Sequence, residues 1–191
     1  MAAPTRETIV KMIEDGQSLA GQDLSQADLS YSNLKGGDFS GANLTGAHLQ
    51  NANLENANLK GANLEKSFLF GANLKGADME GAQLSGTNLQ DTNLEGATLK
   101  NTRLQGISLF GAQMDRVDLS GSDLSRARLK RASLVGANLS GANLSGAHLQ
   151  RASLREADFS GAVLREANLK NADLEGAKLD GADMEGAQLC Q

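Results

Sequence analysis

The chain has 191 residues, 40% of them hydrophobic and 21% charged, and a formal net charge of −5. That is enough apolar material for one sizeable domain, and the acidic total gives no general attraction to nucleic acid or to an anionic membrane. A single cysteine, Cys190, excludes an internal disulfide framework, and no stretch has the make-up of a signal peptide or the length of a membrane span, so a cytoplasmic location is expected.

The chain opens on a helical pattern. Thr5 stands where an N-cap belongs, Ile9, Met12 and Ile13 fall on one side, and Gly16 supplies a stop. Residues 1–16 are read as an N-terminal helical cap, and 17–191 as a repeat body within the same single domain. From Leu19 to Leu189 every fifth residue is Leu, Phe or Met without a slip, which makes 35 units. No α-helix buries such a column, because side chains five apart spiral round the cylinder instead of forming a stripe. A flat strand fails too, since odd spacing alternates its faces and the glycines would weaken it throughout. If the chain turns a corner once per unit, every central side chain can point to one shared axis.

With the central residue called i, position i−2 is nearly always small, as in Ala27, Ser32, Ala42 and Ala187, so i−2 and i point inward and i−1 outward. Position i+2 holds most of the glycines, for example Gly41, Gly46 and Gly61, which places the corners there. Beyond the N-terminal segment every charged residue sits at i−1, i+1 or i+2. Asn33, Asn53, Asn73 and Asn93 recur every 20 residues and predict an outward amide ladder.

Units such as Ala42-Asn43-Leu44-Thr45-Gly46 and Ala172-Asp173-Leu174-Glu175-Gly176 resemble the pentapeptide repeat proteins, over roughly nine-tenths of the chain. The resemblance implies an all-β fold, a right-handed quadrilateral β-helix with four units per coil and a short N-terminal capping helix. At a coil spacing of about 4.8 Å the rod is expected to be roughly 40 Å long. Leu189, Cys190 and Gln191 stop inside the repeat pattern, which raises a homodimer through an uncapped C-terminal coil as an expectation.

If every fourth unit returns to the same side, the outward charges divide unevenly. The faces centred on Leu19, Leu24, Leu29 and Leu34 carry −3, −2, +3 and −2. The third is the exception, with Tyr31, Phe68, Phe70 and Phe110 in its N-terminal half and Arg128, Lys130, Arg131, Arg151 and Lys170 in its C-terminal half. Exposed aromatics beside arginines are common anchors of protein interfaces, so this is the candidate interaction face. The plainer reading has Phe110 filling space near the inward Ile107 and the cations solvating the surface.

Nothing else gathers into a site. His48 and His148 lie on the third face but five coils apart, about 24 Å, too far to share a metal. The pairs Asp78/Glu80, Asp173/Glu175 and Asp183/Glu185 face solvent on convex walls and read as solubility charges, and Ser120, Ser125, Ser140 and Ser145 read as outer lining. No metal, cofactor or catalytic residue is expected. The sequence therefore points to a non-enzymatic structural or protein-interaction module with an unidentified protein partner, no membrane role and little call for nucleic acid. A second expectation follows from similarity to the quinolone-resistance pentapeptide proteins, which imitate DNA and occupy DNA gyrase. This chain departs from them in its modest negative charge, its one basic face, its uninterrupted repeats and its lack of a C-terminal dimer helix.

Overall fold

The computed structural model describes residues 4–189, so Cys190 lies outside the described residues. One helix, α1 (Arg6–Glu14), precedes the coils. The Thr5 hydroxyl oxygen accepts the N–H of Thr8 at 3.3 Å, so the helix starts where the sequence places its cap. Its end is a Schellman motif: the N–H of Gly16 donates to the Ile13 carbonyl at 2.9 Å and that of Gln17 to Met12 at 2.8 Å, with Gly16 left-handed at φ 71°. Ile9 is fully buried, and Val10, Met12 and Ile13 pack on the core of the first coil.

After the helix the chain winds as a quadrilateral β-helix. Every i−1 residue pairs in parallel with the residue 20 positions on, from Asp23↔Asn43 to Asn168↔Gln188, so four units close one coil. Each wall contributes one bridging residue per coil instead of a continuous strand, because a corner every five residues leaves little room for extension. Three backbone bonds per unit tie coil to coil. In the unit of Leu44, the N–H of Leu44 donates to Asn63 at 2.7 Å, that of Gly46 to Glu65 at 2.9 Å, and the Ala42 carbonyl accepts from Asn63 at 2.9 Å.

The corner is a β-turn. The N–H of Ala47 donates to the Leu44 carbonyl at 3.0 Å, with Gly46 left-handed at φ 64°, the arrangement of a type II turn. The outward i−1 side chain braces it: Asn43 Oδ1 accepts the Thr45 N–H at 3.1 Å, and the same Asx geometry recurs at Asn63, Asp78 and Asn138. This is why Asn and Asp fill that column. The amide ladder forms in part, with Asn53 Nδ2 donating to Asn33 Oδ1 at 3.3 Å and Asn73 Nδ2 to Asn53 Oδ1 at 3.2 Å. Asn93 keeps the Asx bond that all four make, its Oδ1 accepting the Glu95 N–H at 3.0 Å, but makes no ladder bond to Asn73 among the described residues.

Inside the tube the central side chains from Leu19 to Leu169 are buried, and no charged residue is among the buried ones described. Each such burial is worth roughly 1.5–3 kcal/mol against about 1–2 kcal/mol of backbone entropy per residue, so a coil depends on its neighbours. Six i−2 positions carry an inward hydroxyl instead of a methyl. Five find a carbonyl, as Ser67 Oγ does on Leu64 at 2.6 Å and Thr92 Oγ1 on Leu89 at 2.7 Å, whereas Ser32 Oγ has no partner among the described residues. In the last described coil Leu179 and Leu189 are exposed.

Candidate protein-interaction face

The third wall is built from three columns. The i−1 column runs through His48, Phe68, Asn88, Ser108, Arg128 and His148, paired coil to coil. The i+1 column runs through Gln50, Phe70, Gln90, Phe110, Lys130, Gln150 and Lys170, and the i+2 corner through Tyr31, Asn51, Arg131 and Arg151. Because i−1 and i+1 both project from the same flat wall, the sequence-predicted residues do come together on one side. Tyr31 is 76% exposed, Phe68 44%, Phe70 43% and Phe110 37%. These are the large aromatics left outside the core, so Phe110 is not absorbed by Ile107, which is buried in the tube.

Two shallow grooves lie along this wall. One, of about 570 Å³, is lined by Tyr31, His48, Gln50 and Phe70. The other, of about 280 Å³, is lined by Phe110, Arg128, Lys130, His148 and Gln150. They are built on the same five residues, Gly-Ala-His-Leu-Gln, at 46–50 and again at 146–150. In both, the glutamine Oε1 is shielded from solvent and has no hydrogen-bond partner among the described residues. His48 is more than surface decoration, since its ring stacks on Phe68 with centroids 4.8 Å apart. The sequence places both histidines on this face without counting them among its candidate residues, and it does not single out the glutamines, although the hundred-residue echo of one pentapeptide was there to be read.

Charge separates this wall from the others. All ion pairs between described coils lie on the other three faces. The carboxylate pairs that read as solubility charges are in fact gripped by a cation one coil back: Lys60 holds Asp78 and Glu80, Arg155 holds Asp173 and Glu175, and Arg165 holds Asp183 and Glu185. Glu80 and then Asp78 accordingly raise Lys60 above its ordinary pKa, and Arg165 is the main cause that lowers Asp183. On the third face Arg128, Lys130, Arg131, Arg151 and Lys170 have no such partner among the described residues. Of its two acids, Asp28 is taken by Arg6 of α1 at 2.8 Å, which leaves Asp91.

The corners hold a second distinction. From Gly21 to Gly186 every i+2 residue is left-handed, with φ between 53° and 72°, and fourteen of them are not glycine. L-residues carry a cost of about 1 kcal/mol or more in that conformation, least for Asn. Ten of the fourteen are followed one coil on by glycine, and the side chain lies over it: a Cβ on Gly121 would come 2.5 Å from Asn101 Oδ1, and one on Gly176 would come 3.3 Å from Glu156 Cγ. The pairs that break the rule, Tyr31 over Asn51, Arg131 over Arg151 and Arg151 over Asn171, all stand at the third-face corner. There the next Cβ occupies the space that elsewhere receives the side chain.

The pentapeptide-repeat family pattern matches overlapping stretches that together run from residue 16 to residue 191. The chain is a pentapeptide-repeat protein. As such it has the right-handed quadrilateral β-helix of the family. Among solved pentapeptide-repeat proteins it is similar to HetL, which is involved in heterocyst differentiation regulation in the cyanobacterium Nostoc sp. strain PCC 7120, with 31% identity over 96% of each chain and a TM-score of 0.45. It is also similar to QnrB1, a plasmid-mediated fluoroquinolone resistance protein, in a trypsin-treated form, with 21% identity over 76% of this chain and 84% of that one and a TM-score of 0.58. The QnrB1 likeness is one of fold. No curated protein matches the sequence.

Proposed function

We propose that this pentapeptide-repeat protein is a non-enzymatic interaction module that docks a protein partner on its third face. One observation carries the reading: the exposed aromatics share a single wall with five cations and two acids, one of them already paired with Arg6, while the other three walls are net acidic. Exposed aromatic and arginine side chains on a rigid backbone anchor an interface at low entropic cost. Among the described residues the exterior is convex apart from shallow grooves, which gives the carboxylates no enclosed cleft that excludes water.

The test is affinity capture with the wild type and with Phe70→Ser/Phe110→Ser/Arg128→Glu/Arg131→Glu, whose circular dichroism should be unchanged. Loss of a defined partner is expected, and an identical set of captured proteins would refute the docking face. A second reading, regulation of DNA gyrase by DNA imitation, draws on the shared QnrB1 fold and on the three acidic faces. Against it stand the modest net charge of −5 and the ion pairs between coils, which engage eight of the eighteen acids on those faces. A supercoiling assay with and without fluoroquinolone decides it, and no effect at micromolar protein removes it.

A further inference from the structure

The third face is polarised along the rod axis. Its exposed rings stop at Phe110, and its first cation, Arg128, stands on the next coil. From Phe70 to Lys170 is five coils, about 24 Å, the reach of about seven residues of extended chain or about sixteen of helix. We infer that this face receives one linear segment of a partner polypeptide, apolar side chains over Phe70 and Phe110 and a cluster of Asp or Glu side chains over Arg128, Lys130, Arg131 and Arg151. The inference rests on the docking reading above and adds the chemistry of the occupant.

Three independent features point to that chemistry. This is the one face with more cations than acids, five against Asp28 and Asp91, and Asp28 is already paired with Arg6, so the complement to it is an acidic one. At the corner, Arg131 and Arg151 are stacked left-handed residues without the glycine that accommodates such side chains elsewhere, and both are exposed. Gln50 and Gln150 each hold an Oε1 without a partner, and rotation of the amide toward its groove offers an acceptor to a peptide N–H. A nucleic acid meets these features poorly. Its phosphates recur evenly, whereas no third-face cation precedes Arg128, and Asp91 stands between the rings of Phe70 and Phe110. A polypeptide can place apolar and acidic residues in separate blocks.

The probe is a displayed library of random peptides of about sixteen residues, long enough for either an extended or a helical segment. It is selected on the wild type and then depleted on Arg128→Glu/Arg131→Glu/Arg151→Glu, whose fold is checked by circular dichroism. Enriched peptides should carry an acidic block beside an apolar block. By fluorescence anisotropy they should bind the charge-reversed variant and Phe70→Ser/Phe110→Ser at least about tenfold more weakly, with added salt weakening the wild-type complex. Enriched peptides without acids, or scrambled versions that bind equally well, overturn the block polarity and leave the docking face standing. Peptides indifferent to every third-face substitution, or no enrichment at all, overturn both. An oligothymidylate that binds more tightly than the selected peptides assigns the face to nucleic acid and overturns the inference.

Discussion

Replacing Gly121 and Gly141 by alanine separates two causes that make glycine common at the corners. Both occupy the same corner column on successive coils, at φ 65° and 64°. A Cβ on Gly141 meets nothing within 4 Å, so Gly141→Ala reports the left-handed penalty alone, about 1–2 kcal/mol. A Cβ on Gly121 comes 2.5 Å from Asn101 Oδ1, so Gly121→Ala bears that penalty and must also displace the Asn101 amide, about 1 kcal/mol more. In the double variant Asn101→Gly/Gly121→Ala the obstruction is gone and the second contribution should vanish. Urea unfolding followed by circular dichroism on the wild type and the variants gives the cycle, with a coupling of about 1 kcal/mol expected. Equal midpoints for Gly121→Ala and Gly141→Ala, with no coupling, would show that the leaning side chain does not reserve these corners.

Leu94 and Glu95 are neighbours on opposite sides of the wall, one fully buried and one bound to Lys75 and Arg116. Leu94→Ala should cost about 2–5 kcal/mol and Glu95→Ala no more than about 1 kcal/mol, read as the shift in urea midpoint, and Leu94→Asp should be worse than either. Ser32→Ala replaces an unpartnered buried hydroxyl with the residue its column favours and should stabilise by about 1 kcal/mol, whereas Ser67→Ala, which loses a bond to Leu64, should not. The side chain of Ser18 and then that of Ser40 hold Asp38 below the ordinary carboxylate pKa, and Ser30 does the same for Asp28. Their stabilising contribution is therefore complete above the unfolded value of 3.8 and is lost as pH falls through the lower folded values. The melting temperature should drop between about pH 5 and pH 2, and Asp38→Asn, which keeps the turn acceptor without titrating, should blunt that drop.

The tube was legible because its signals are local. An inward Leu at i, a small inward residue at i−2, an outward Asn or Asp at i−1 and Gly at i+2 describe one type II turn braced by an Asx bond; the left-handed corner recurs in every unit from Gly21 to Gly186, and the brace wherever i−1 is Asn or Asp. The capping helix was readable for the same reason, from Thr5 to Gly16. Features that join residues 18 to 20 positions apart were harder to see. Asp78 and Glu80 resemble idle surface acids until Lys60 is brought beside them, and Arg131 and Arg151 resemble two unremarkable corners until they are stacked. The predicted face held its nine residues together, yet it missed Gln50 and Gln150, whose unpartnered oxygens appear only once neighbouring coils shield them.

The order of residues alone thus determines that the chain turns every five residues and which side chains face inward, because both depend on bonds made within a single unit. How many turns close a coil is settled by the bonds between coils, such as Leu44 N–H to the carbonyl of Asn63, which form only when four corners bring the chain back over itself. That closure selects the residues that become neighbours. It turns an acidic chain into a rod with ion pairs between coils on three walls and a fourth wall of exposed rings and net positive charge, since the adjacent coil decides which charges meet.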